Sequence, residues 1–340
     1  MTLTRRAALA SAAALLAAPA LSAQPQPRPA GDWARTADRA RGLDQLNALV
    51  ISQGGREVFA EAFRGPGVSR PVNVKSVSKT VVAALLGAAL DRGEVPGVGA
   101  TLGEVAPGLI PSGADPRVRD LTLENLVTMQ TGLERTSGAG YGAFVSSRDW
   151  VAYVLTRPMI REPGRGMLYS TGSFHVLGAA LAEASGESLL AQARERLGAP
   201  LGIEIPAWTR DPQGFYLGGN EMALSPRAMV AFGEMYRRGG QGVLSPGWVE
   251  ASFQDRTRSP FSGMGYGYGW FLTRFGGLGG LGGRRAMIAR GYGGQVICIV
   301  PDLELTVAIT SDATRPARSG GYFGDLTDLL GETLVPEAEA

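Results

Sequence analysis

Two apolar runs, Leu46 to Ser52 and Glu57 to Phe63, flank the turn-forming stretch Gln53-Gly-Gly-Arg56, which reads as a β-hairpin. The pattern changes after Pro71. Thr80 to Leu90 is apolar almost all round, which predicts a buried helix that begins near Val77 and ends near Gly93. From about 95 to 255 the chain breaks into short helical segments joined by Gly- and Pro-rich loops. Thr122 is placed to cap one through Met129, Ser147 one through Leu155, and Ser225-Pro226 opens another that stops at Gly239-Gly240. A further helix is expected from Thr171 to Ala184. Strand patterns return at Tyr268 to Phe275, Arg285 to Ala289, Gln295 to Val300 and Glu304 to Thr310, before a C-terminal helix around Phe323 to Leu334.

Strands at both ends and helices between them predict an α/β protein of the α+β kind: one antiparallel sheet formed from both chain ends and flanked by helices, with a mostly helical insertion. The expected organisation is a sheet domain from 35–94 and 256–340, and a helical insertion domain from 95–255. No internal repeat is present. Residues 1–23 carry Arg5 and Arg6, an apolar stretch from Ala7 to Leu21 and small residues before Gln24, as an export signal does. Thr4-Arg5-Arg6 is similar to a twin-arginine signal, and a general secretory signal fits as well. The proline-rich stretch 24–34 is expected to be a linker. The expected destination is periplasmic or secreted, without a stable membrane anchor.

Charge narrows the partners. Removing residues 1–23 leaves 31 basic and 31 acidic side chains, so the mature chain is formally neutral and has no basic cluster for nucleic acid. His175 is the only histidine and Cys298 the only cysteine. These counts exclude an intrachain disulfide, a cysteine–histidine zinc site and a two-histidine metalloprotease helix. His175 falls inside a predicted helix and is read as structural. No metal or organic cofactor is expected. Gly277-Leu-Gly-Gly-Leu-Gly282 fits a dinucleotide glycine pattern, but no helix follows it to hold a pyrophosphate, so it is read as a hairpin loop at the rim of a site.

The candidate chemistry lies in Asn73-Val-Lys-Ser-Val-Ser-Lys-Thr80. The chain has 31 arginines and only two lysines, Lys75 and Lys79. Lysine, unlike arginine, loses its proton in a dry site and can act as a base. In a helix starting near Val77, Ser76 and Lys79 lie three apart on one face, where the amine reaches the hydroxyl. The positive end of the helix disfavours a protonated amine and favours a developing anion there. Lys75 and Ser78 lie off that face and are expected to be structural. A second element, Tyr169-Ser-Thr-Gly172, offers a phenol able to relay a proton. A third, Ala289-Arg-Gly-Tyr-Gly-Gly-Gln295, lets backbone run close to a ligand. There the N–H of Tyr292 can pair with that of Ser76 as an oxyanion hole, and a bulged edge strand is the alternative.

In this order the three elements resemble the serine β-lactamase and penicillin-binding superfamily, in a class C-like arrangement. So do Leu121-Thr-Leu-Glu-Asn-Leu-Val-Thr-Met-Gln-Thr-Gly132, Gly218-Gly219 through Ser225-Pro226, and Tyr266-Gly-Tyr-Gly-Trp270. The short third motif is most similar to the 6-aminohexanoate-dimer hydrolase and carboxylesterase branch. The resemblance implies Ser76 as nucleophile, Lys79 as general base, Tyr169 as proton relay, and the backbone of Ser76 and Tyr292 as oxyanion hole. Thr171, Gly291 and Gly293 are expected beside the substrate. Tyr141 is also expected there, with an exposed loop aromatic as its alternative. Thr171 stands where lactamases carry an asparagine, and Ala289 where they carry a lysine or histidine; Arg290 should face away from the position of Ala289. The implied substrate is a small ester or linear amide. A β-lactam or D-alanyl-D-alanine peptide is the first alternative, and a non-catalytic cell-wall-peptide binder on the same fold the second.

Overall fold

The computed structural model describes residues 33–276, 283–316 and 321–340. The expected export signal, most of the linker and the glycine loop 277–282 lie outside them. The last two linker residues are already part of the fold: Trp33 is buried, and Ala34 opens the helix α1, Ala34–Gly42.

Among the described residues ten strands follow: β1 Leu46–Gln53, β2 Arg56–Ala62, β3 Val72–Asn73, β4 Ala223–Leu224, β5 Thr257–Arg258, β6 Gly265–Tyr266, β7 Phe271–Phe275, β8 Arg284–Gly291, β9 Gln295–Val300 and β10 Leu305–Ser311. Eight form one antiparallel sheet in the order β2-β1-β10-β9-β8-β7-β6-β5, while β3 and β4 pair separately. The N-terminal hairpin thus joins the C-terminal strands through β1 and β10, with Leu49 opposite Ile309 and Gln53 opposite Leu305. Every residue of β9 and β10 is buried, so both faces of the sheet are covered at its centre, while the edge strand β2 has no buried residue.

Parity along β9 separates the two faces. Val296 lines a small apolar cavity with Ile288, Phe323, Leu326 and Leu330, on the side of the C-terminal helix. Ile297 faces the other way, against Gly233 of the helix Pro226–Arg237. That helix falls inside the span assigned to the insertion, yet it packs on β1, β9 and β10. The helix α2, Val77–Asp91, lies between β8–β9 and the helix α3, Thr171–Ser185. Its uniform apolarity has a direct cause: Val77 through Ala89 are all buried.

Two boundaries differ from expectation. Ser147 does not cap the helix that ends at Leu155, because its hydroxyl donates to the Phe144 carbonyl of the preceding turn; the carboxylate of Asp149 caps it instead, accepting from Ala152 N at 2.8 Å. The strand expected from Tyr268 starts only at Phe271. Gly269, with φ +81°, breaks the chain and presents its carbonyl to Thr80 Oγ1 of α2 at 2.7 Å. Among the described residues no helix is long and apolar enough to cross a membrane.

Candidate active site

Ser76 occupies the N-cap position of α2, and its side chain makes no capping bond. The hydroxyl is therefore left for Lys79, one turn on, whose Nζ lies 3.0 Å from Ser76 Oγ. Lys79 is 2 % exposed. Burial strips water from its ammonium and lowers its pKa from the ordinary lysine value to about 7. The amine also donates to the Gly219 carbonyl at 2.7 Å and to Thr171 Oγ1 at 3.2 Å.

Each partner arrives by a close approach of backbone. Gly219 runs against the first turn of α3, where a Cβ would stand 2.8 Å from the Thr171 carbonyl, and this aims its own carbonyl at Lys79. Met222 O accepts from Val74 N at 2.9 Å, and Met222 N donates to Ser78 Oγ at 3.2 Å, which ties this segment to the turn that carries Ser76. Lys75 has φ +51° and pairs with Glu221 at 3.1 Å. Lys75 and Ser78 thus hold the turn without pointing at the Ser76–Lys79 face.

Tyr169 comes from the loop entering α3 and is partly buried, with its ring centroid 5.0 Å from Lys79 Nζ. Burial raises its pKa, opposed by a hydrogen bond with Ser76 and by the charge of Arg290. The third element closes the site. At Gly291 a Cβ would lie 2.3 Å from the Val74 carbonyl, so the β8–β9 turn packs against the chain two residues before Ser76, which only glycine permits. The Tyr292 side chain is half exposed. Gly293, at φ +80°, packs closely on the Asp312 carbonyl, 2.5 Å from where a Cβ would stand.

Ala289 is opposite Ile297 and Arg290 opposite Val296, so their side chains leave opposite faces of the sheet. Arg290 stacks on Phe323, 3.2 Å from the ring centroid, and on Phe271. Thr171 is 4 % exposed, and its hydroxyl is engaged by Lys79 and by Ser137 Oγ at 2.9 Å. Tyr141 is partly buried and accepts from Asn220 Nδ2 at 2.9 Å. His175 is remote in role: its Nε2 meets Asp211 Oδ2 at 3.0 Å in a fully buried pair flanked by Phe144 and Trp150.

The sequence reading assigned no role to Gly219 or Ser137. A carbonyl acceptor carries no side-chain signature, and Ser137 sits in a glycine-rich loop like any solvated serine.

Residues 43–329 match the beta-lactamase family. The chain belongs to that family. The family and its structural neighbours are serine hydrolases of the SxxK type, a spacing that Ser76 and Lys79 have in this chain. The D-alanyl-D-alanine-carboxypeptidase/endopeptidase AmpH of Escherichia coli (strain K12) is 29 % identical over 184 residues, covering 48 % of this chain and 46 % of that protein. The chain thus spans about half the length of the curated relatives it matches. Among solved structures, a protein described as a 6-aminohexanoate-dimer hydrolase from Bacillus anthracis superposes with a TM-score of 0.71 at 17 % identity, covering 87 % of this chain and 79 % of that one. EstCE1, a hydrolase with promiscuous acyltransferase activity, superposes with a TM-score of 0.72 at 18 % identity, covering 87 % and 98 %. At such identities these two establish the beta-lactamase fold alone.

Proposed function

We propose that the chain is an exported serine hydrolase that cleaves a small ester or linear amide through an acyl-enzyme on Ser76. The observation that carries the proposal is the buried Lys79 amine 3.0 Å from Ser76 Oγ, with a pKa lowered to about 7. In this mechanism neutral Lys79 takes the Ser76 proton as the oxygen attacks the substrate carbonyl. The backbone N–H groups of Ser76 and Tyr292 hold the oxyanion. Tyr169 protonates the leaving group, and water activated by Tyr169 with Lys79 releases the acid. Ala289 supplies no charge where lactamases carry a lysine or histidine, so the reading favours an ester or linear amide over a β-lactam.

The test is intact mass after exposure to a fluorophosphonate, followed by peptide mapping. A single adduct on Ser76, lost in Lys79→Ala, supports the proposal; no adduct on folded protein refutes it and transfers weight to a peptide-binding role. A second reading keeps the nucleophile and makes the substrate a D-alanyl peptide, on the strength of the identity to AmpH. Release of D-alanine faster than hydrolysis of p-nitrophenyl acetate would select it. Export is part of the proposal, supported by the composition of residues 1–23. A mature N-terminus near Gln24 in the periplasmic fraction or the medium is the expected result, and full-length protein confined to the cytoplasm would overturn it.

A further inference from the structure

Lys79 faces three oxygen atoms: Ser76 Oγ, Thr171 Oγ1 and Gly219 O. An ammonium donates to all three, but a neutral amine has two N–H bonds and one lone pair. The Gly219 carbonyl only accepts, so it always takes one N–H. The lone pair then points at one of two hydroxyls, Ser76 or Thr171, and only the first arrangement makes Lys79 a base for the nucleophile. The Thr171 hydrogen decides between them.

That hydrogen has one other acceptor, Ser137 Oγ at 2.9 Å. Ser137 Oγ also accepts from Thr171 N at 2.8 Å. The loop is held in place by its neighbour, as Thr136 Oγ1 accepts from Gly172 N at 2.8 Å and meets Ser170 Oγ at 3.0 Å. We infer that Ser137 is a positioning residue: by accepting the Thr171 hydroxyl hydrogen it makes Thr171 an acceptor toward Lys79 and turns the amine lone pair onto Ser76. This role rests on the reading of Lys79 as base.

The alternative is that Ser137 merely caps the first turn of α3, and double substitution separates the two. The readout is the rate of Ser76 phosphonylation by a fluorophosphonate, normalised to folded protein by circular dichroism. In Ser137→Ala the freed Thr171 hydroxyl donates to the lysine lone pair, and the rate is expected to fall about tenfold with the inflection of the pH profile moved down by about one unit, because the neutral amine is the form stabilised. Ser137→Thr, which keeps the hydroxyl, restores it. In the double variant Ser137→Ala with Thr171→Val the competing donor is gone, so the rate is expected to recover at least about threefold over Ser137→Ala. A simple cap predicts the opposite, since the double variant loses more contacts than the single one. A Ser137→Ala rate within about twofold of wild type, or a double variant no faster than Ser137→Ala, overturns the inference. Failure of wild-type Ser76 to react at all would instead overturn the hydrolase reading on which it rests.

Discussion

Replacing Lys79 with methionine should stabilise the protein while silencing it, and the stabilisation should have a defined dependence on pH. The side chain is 2 % exposed and its pKa is lowered from 10.5 to about 7 by desolvation. The unfolded chain therefore binds one more proton than the folded chain between about pH 7 and 10.5, and wild-type stability rises with pH across that window. Below about 7 both states are protonated and the penalty is constant; above about 10.5 both are neutral and it is gone. A shift of about 3.5 units corresponds to about 5 kcal/mol between the two ends. Methionine fills a similar volume but removes the donors to Gly219 O and Thr171 Oγ1, at a pH-independent cost of about 1–3 kcal/mol. Urea unfolding of both proteins from pH 6 to 11 separates the terms. The wild type should gain on Lys79→Met by several kcal/mol from pH 7 to 10.5, and Lys79→Met should be the more stable protein at pH 7. Parallel stability curves would show that Lys79 is not held at a depressed pKa, and the argument for a neutral base would fall with them.

The same shift sets the activity profile: kcat/KM should rise about tenfold per pH unit below about 7 and level off above it, measured on p-nitrophenyl acetate, because only the neutral amine accepts a proton. Lys79→Arg keeps a charge but offers no lone pair, so turnover should fall by at least about 100-fold with the circular dichroism spectrum unchanged. Gly291→Ala drives a methyl into the Val74 carbonyl 2.3 Å away, and should lower stability by about 1–3 kcal/mol in urea and slow phosphonylation of Ser76. Glu337 accepts from Arg35 N at 3.1 Å and Thr36 N at 2.9 Å and so closes the first turn of α1. Glu337→Ala should lose about 1–3 kcal/mol with phosphonylation unaffected, read by thermal melting beside the labelling assay.

What was legible in the sequence was what local periodicity encodes. Ser76 and Lys79 are three apart at the start of an apolar helix, and that spacing alone puts amine beside hydroxyl. The alternation that separates Ala289 from Arg290 is equally local. What escaped depends on distant chain segments. Gly219 reaches Lys79 across 140 residues through its main chain, and Ser137 gains its role only because α3 brings Thr171 to it. Thr171 was expected beside the substrate because it stands where lactamases carry an asparagine; in the fold its hydroxyl lies 3.2 Å from Lys79 Nζ and 2.9 Å from Ser137 Oγ. The displaced cap at Ser147 has the same kind of cause, a competing carbonyl that the local sequence does not rank.

The pairing of β1 with β10 also fixes when the molecule can assemble. Gln53 faces Leu305 across the sheet, and its side-chain amide donates to the Leu303 carbonyl 250 positions further on. During synthesis the β1–β2 hairpin emerges early and waits, with one hydrogen-bonding edge of β1 open, until β10 has been made. Leu49, Val50 and Ile51 stay exposed to other chains for the same interval. Spacing nascent chains apart by slowing translation initiation should therefore raise the soluble yield.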